Sequence, residues 1–136
     1  MTTLIEEGFV SFLRALPAFT AFVGADQDCR LYPAGGAPDD ARSPYVTYRK
    51  VSGPRDQTHG GSSLAHPRVQ LSCWSDDYLE AKRIARVIGD AVNGYRGAMG
   101  GISRAAAEVD NEVDLFVPEE KRHQVIVDVL LWHAEE

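Results

Sequence analysis

Apolar residues recur at helical spacing through the first segment of the chain. Ile5, Phe9, Phe12, Leu13 and Leu16 share one side, with Glu6, Glu7 and Arg14 elsewhere. This predicts an amphipathic helix, ended by Pro17 because the residue before a proline is pushed out of helical geometry. Phe19, Phe22 and Val23 predict one further turn on the core before Gly24. A brief strand, "CRLY", follows, and then "PAGGAPDDARSP", whose prolines and glycines without periodicity predict an irregular arm. "YVTYRKV" (45–51) and "RVQLSCW" (68–74) alternate and are rich in β-branched and aromatic residues, so each predicts a strand. Between them lies "SGPRDQTHGGSSLAHP" (52–67), predicted as a long loop joining two antiparallel neighbours.

The strongest helical pattern is "SDDYLEAKRIARVIGDAVNG". Tyr78, Ala81, Ile84, Ala85, Ile88 and Val92 form its apolar face, away from Glu80, Arg83, Arg86 and Asp90. Ser75 is the expected N-cap, Asp76 and Asp77 place negative charge at the positive end of the helix dipole, and Asn93-Gly94 is the expected left-handed stop. "YRGAMGG" is expected to turn the chain into a polar-decorated strand, "ISRAAAEVDNEVDLF". In the closing "HQVIVDVLLWH", Val125, Val127, Val129 and Leu131 share one face, which predicts a strand inside the sheet with that face fully buried. The expected fold is a single α+β domain over residues 1–136, in the order α-β-β-β-α-β-β. It is a two-layer sandwich: a mostly antiparallel sheet of about five strands with two main helices on one face.

Composition changes this picture little. A chain of 136 residues, 44% apolar and 25% charged, reads as an ordinary soluble globule large enough to bury a core without a disulfide or metal. Fourteen basic against twenty acidic residues give a net charge of −6, which argues against a surface that must neutralise duplex phosphates. Glu6, Glu7 and Arg14 break the pattern of an export signal, and no stretch is long and apolar enough to predict a membrane span. Cys29 and Cys73 belong to no short metal spacing and read as reduced thiols of a cytosolic product.

Candidate chemistry is sparse. Asp56, His59 and Ser62 stand near one another, but in a segment without the rigid support a catalytic triad needs. No nucleophile elbow or phosphate loop is present. His59 and His66 lack further ligands at a metal spacing, and His123 and His133 would lie ~33 Å apart on an extended strand. Trp74 and Trp132 end strongly apolar strands and read as core or interface residues, because no basic groove accompanies them. The sharper candidate is "EVDNEVD", where regular alternation would point Glu108, Asp110, Glu112 and Asp114 the same way. Such a row is a solvated acidic face, a face meeting arginines of another subunit, or a site for a divalent cation or an acid–base pair. With no cofactor and no catalytic residue indicated, the long connections themselves point to assembly, since ordered loops of ~12–15 residues in small domains usually bind or move.

Four segments taken in order, "SPYVTYRKVSG", "RVQLSCWSDDYLEAKRIA", "NGYRGAMGGI" and "DLFVPEEKRHQVIVDVLLWH", resemble the tail completion or tail terminator proteins of long-tailed phages and of phage-derived gene transfer agents. The resemblance runs from the first helix to Trp132-His133 and rests on order and spacing, as no single segment encodes a reaction. It implies a non-enzymatic virion subunit, assembled in a bacterial cytoplasm, that forms a homohexameric ring. That ring would cap the tail tube at its head-proximal end and dock to the head connector or stopper, with DNA passing through the lumen without specific binding. A lumen lined with lysine and arginine would contradict the last expectation. On this reading, the stretch 52–67 is a docking loop in which Gly60 and Gly61 give adaptability and Arg55, Asp56 and His59 make contacts. Arg49, Lys50, Arg55 and Arg68 then form a basic patch complementary to Asp110, Glu112 and Asp114. Another neck component, a stopper or adaptor ring, is the nearest alternative, and a small metal-dependent hydrolase built on the acidic strand is a remoter one.

Overall fold

A computed structural model describes residues 4–38, 41–52, 55–57, 63–65, 67–119 and 121–134. The elements run α1 (Ile5–Arg14), α2 (Pro17–Val23), a 3₁₀ turn (Asp26–Asp28), β1 (Leu31–Pro33), β2 (Tyr45–Ser52), β3 (Arg55–Gln57), β4 (Ser63–Ala65) and β5 (Arg68–Ser75). They continue with α3 (Tyr78–Val92), β6 (Tyr95–Met99), β7 (Ile102–Val117) and β8 (Arg122–Ala134). The class is α+β and the sheet mostly antiparallel, as expected; the parallel exception is β1 beside β2.

Two expectations fail on the same physical point. Among the described residues the sheet has eight strand segments rather than about five, and 55–57 and 63–65, expected within one long loop, are strands. β2 and β5 pair from Tyr45↔Trp74 to Ser52↔Arg68, and β3 and β4 carry the same register onward from Arg55↔Ala65 to Gln57↔Ser63. On the other side, β8 pairs β5 up to Arg68↔Leu130 and meets β4 in the same register at Ala65↔His133 and Leu64↔Ala134. So β2–β3 and β4–β5 are the two interrupted arms of one long hairpin. Counted across, the sheet is six strands wide, in the order β1, β2–β3, β4–β5, β8, β7, β6. Polar, glycine-rich residues do not announce a strand by alternation, yet backbone pairing is indifferent to side chain once a neighbouring ladder fixes the register. The same applies to "YRGAM", expected as a turn and found as β6 on the edge of β7.

Among the described residues the α-helices number three. Pro17 ends α1 as expected but also starts α2, at the position where a missing N–H costs nothing. In α3 the N-cap is Asp77, whose side chain accepts from Leu79 N at 3.2 Å; Ser75, the expected cap, lies in β5. Ser75 Oγ instead accepts from Asp77 N at 3.0 Å and donates to Glu80 Oε1 at 2.7 Å, bracing the strand-to-helix turn. At the far end Gly94 takes the positive φ, 80°, while Asn93 stays extended.

One continuous core joins the three helices to one face of the sheet. Ile5, Phe9 and Leu13 of α1, Phe19 and Val23 of α2, and Ala81, Ile84, Ala85, Ile88 and Val92 of α3 are buried against Val46, Val69, Leu71 and Cys73. Val125, Val127, Val129 and Leu131 complete that face, all buried as their spacing predicts. Cys29 and Cys73 are both buried and unbridged; burial, reinforced by Glu112, pushes the Cys73 thiol far above its ordinary pKa. Bulges at Lys50/Ser52, Gly97/Met99 and Val109/Asn111 bend the sheet. It curls instead of forming one flat layer of a sandwich, and its other face is left open as a trough.

Candidate assembly interface

The acidic strand is the first feature the tertiary structure redraws. Up to Val109, opposite Val129, β7 holds one alternation; a bulge then absorbs Asp110, and pairing resumes at Asn111↔Asp128. One inserted residue exchanges the faces of everything beyond it. Glu112 and Asp114 therefore stand opposite Val127 and Val125 on the helix-covered face, while Glu108, opposite Leu130, lies on the open one. The four carboxylates do not share a face.

Each half of the row has its own cation. On the helix side, Lys82 Nζ lies 2.7 Å from Glu112 Oε2 and 3.1 Å from Asp114 Oδ1, and Tyr78 donates its hydroxyl to Asp114 Oδ2 at 2.6 Å. Tyr78, expected in the core, is instead 39% exposed and bridges α3 to β7. The tyrosine's hydrogen bond, helped by Lys82, holds the Asp114 carboxyl below the usual carboxylate range and raises the phenol of Tyr78. The bond to Glu112 raises the Lys82 ammonium. Rings complete the cluster: His123 meets Tyr78 edge-on at 5.5 Å and Phe116 at 4.9 Å. On the open side, Arg68 reaches Asp110 at 2.5 Å and Asp128 at 3.6 Å. Arg68 and Asp110, expected on complementary patches of neighbouring subunits, are thus partners within one chain. Their side chains are 30% and 41% exposed, so the pair sits at the surface, where such a bridge is worth ~0–1 kcal/mol.

Arg49 is exposed on β2, and its Nε donates to Gln70 Oε1 at 3.3 Å; Gln70 in turn donates to Asp128 at 3.2 Å. These residues begin a polar floor that crosses the open face. Gln124 bonds Ser72 at 3.0 Å, Trp74 Nε1 donates to Thr47 Oγ1 at 3.2 Å, and Arg122 lies over the Tyr45 ring and bonds its hydroxyl. Together with the arm around residues 34–38 they enclose an open trough of about 660 Å³. Sequence reasoning missed this floor, although its signal was present as polar residues on the alternate positions of three strands. It also missed Lys82 and Tyr78, which no local pattern links to β7.

Arg55 and Asp56 lie on β3, in the distal part of the hairpin. His59, Gly60 and Gly61, expected at the docking tip, lie outside the described residues. Among the described residues no three His, Cys, Asp or Glu side chains converge as a metal site, and no helix is long and apolar enough to cross a membrane.

The molecule is a small α+β subunit whose distinctive features among the described residues are strand edges, a long hairpin and an open polar sheet face rather than a cleft with reactive groups. The chain belongs to the family of the tail completion protein gp17, whose model matches residues 9–134. That family makes it a structural component of phage-type tails. A chain in the solved virion of a native gene transfer agent particle has a similar fold, with a TM-score of 0.74 and 18% sequence identity, covering 94% of this chain and 92% of that one. No curated protein matches the sequence.

Proposed function

We propose that this chain is a tail terminator, a subunit of a hexameric ring that closes the head-proximal end of a tail tube and joins the tail to the head connector. The observation that carries the proposal is the family match from residue 9 to residue 134, which takes in all of the buried core except Ile5. The role is one of shape, without catalysis or cofactor. A closed ring needs one patch of each subunit to meet a different patch of the next, and the hairpin and the sheet edges would supply such patches. Arg49 is exposed and is available as a charged contact. Glu112, Asp114, Arg68 and Asp110 already hold cations or anions of their own chain and would contribute by sharing them. The hairpin tip, with Arg55, Asp56, His59, Gly60 and Gly61, is assigned the contact with tube or neighbouring subunit.

The test is deletion of the gene and electron microscopy of the particles produced. Overlong or unattached tails beside filled heads are the expected outcome. Heads that leak their DNA while tails are of normal length would overturn the terminator role in favour of a stopper or adaptor ring.

A further inference from the structure

Both lateral edges of the sheet are capped over part of their length and open beyond. On one side, β1 covers β2 from Val46 to Tyr48, and Ala34 N donates to Tyr48 O at 2.8 Å. Beside 49–52 and 55–57, no described strand lies on that side. On the other side, β6 covers β7 from Ile102 to Ala107, and Asn93 Oδ1 takes the Val109 N–H at 3.1 Å. From Asp110 to Val117, no described strand lies there either. An open strand edge offers every second backbone N–H and C=O to another chain, and folds normally blunt such edges.

Three further observations choose the occupant. Exposed apolar side chains sit on these same stretches: Val51 is 47% exposed on the first, and Val113, Leu115 and Phe116 are 40%, 46% and 52% exposed on the second. The charges of the two edges are opposite, since Arg49 and Lys50 stand on β2, with Arg55 and Asp56 cancelling in β3, and Asp110, Glu112 and Asp114 stand on the β7 edge. The lengths are also comparable, with the described residues 49–52 and 55–57 against 110–117. Two copies of the β7 edge would set carboxylates against carboxylates, which disfavours a symmetric pair. One edge of each kind brings unlike charges together.

We propose that the open edge of β7 in one subunit adds to the open β2–β3 edge of the next, so that one sheet runs from subunit to subunit. This inference rests on the ring reading and specifies its contact. Within the chain, β2, β5, β8 and β7 alternate in direction, so β7 runs opposite to β2. Rotation about an axis along the strands preserves their directions, so the joint between subunits is antiparallel. Successive subunits meet by unlike patches, as a closed ring requires.

The test uses the full chain with cysteines at exposed positions of each edge: Val51→Cys combined in turn with Val113→Cys and with Leu115→Cys. Mild oxidation of assembled protein, alone or on tail tubes, should give a ladder of covalent multimers in at least one double variant, with none in the single variants. Native mass measurement should show ring-sized species in all of them. A ring that forms without any such cross-link overturns the edge contact and leaves the ring standing. Protein that stays monomeric both alone and with tubes overturns both. Wild-type protein gives an independent reading by hydrogen exchange, because amides within 49–57 and 110–117 should slow on assembly. Unchanged exchange at both edges sinks the proposal.

Discussion

Gly8 shows how little of a residue's role is local. In an isolated helix, alanine would be favoured over glycine by ~1 kcal/mol. Here a Cβ at position 8 would stand 2.5 Å from the carbonyl oxygen of Met99, and a Cβ on the facing Gly100, at φ 58°, would stand 2.7 Å from Gly8 Cα. The two glycines let α1 lie directly on the β6–β7 turn. Gly8→Ala should therefore destabilise the protein by about 1–3 kcal/mol through overpacking, read as a lower urea midpoint. A midpoint equal to or above wild type would show that the turn yields freely. Tyr78 teaches the same lesson with polarity: its position on α3 fits the apolar face, but its hydroxyl finds Asp114 and its ring finds His123.

Among the elements, β7 is governed by its bulge. Deleting Asp110 would leave Val109 opposite Val129 and Asn111 opposite Asp128, so the ladder loses its irregularity without losing any other pairing. The expected cost is about 1 kcal/mol, mainly the surface ion pair with Arg68. Deleting Val113 instead displaces part of the strand by one residue and turns its side chains to the wrong face. Asp114 would leave Tyr78 and Lys82, and the expected loss exceeds about 2 kcal/mol. Chemical denaturation of the two deletions decides the matter; equal losses would mean that the bulge does not set the faces of 112–117. The long hairpin follows the same logic, because β3 and β4 exist as strands through register inherited from β2, β5 and β8.

At the scale of the whole molecule, charge bears on what the assembled protein can touch. Twenty acidic and fourteen basic residues leave −6, and several of the basic side chains are already engaged: Lys82 with Glu112 and Asp114, Arg68 with Asp110, Arg122 with Asp76 and Tyr45. Acidic residues outnumber basic ones, so purified protein should leave duplex DNA unshifted in a gel assay at about 0.15 M salt. Retardation there, weakening steeply as salt rises, would reveal a cationic surface and contradict the picture of DNA passing without adhesion.

The sequence by itself determined the class of fold, the two principal helices, the strands at 45–51, 68–74 and the C-terminus, and the buried faces of α3 and β8. These are carried by apolar periodicity, which is written residue by residue along the chain. It also carried the resemblance to tail completion proteins through the order of its segments. Tertiary structure alone decided the rest. The strands at 55–57, 63–65 and 95–99 have no apolar alternation of their own and form because a neighbouring ladder presents paired backbone groups. The four carboxylates look aligned in the sequence because alternation is assumed; one bulge, visible only in the pairing of β7 with β8, divides them between two faces. Candidate interface residues were legible as charges, but not which charges the chain would already neutralise for itself. That depends on contacts such as Arg68 with Asp110, 42 positions apart, and Lys82 with Glu112, 30 positions apart, and such separations leave no local trace.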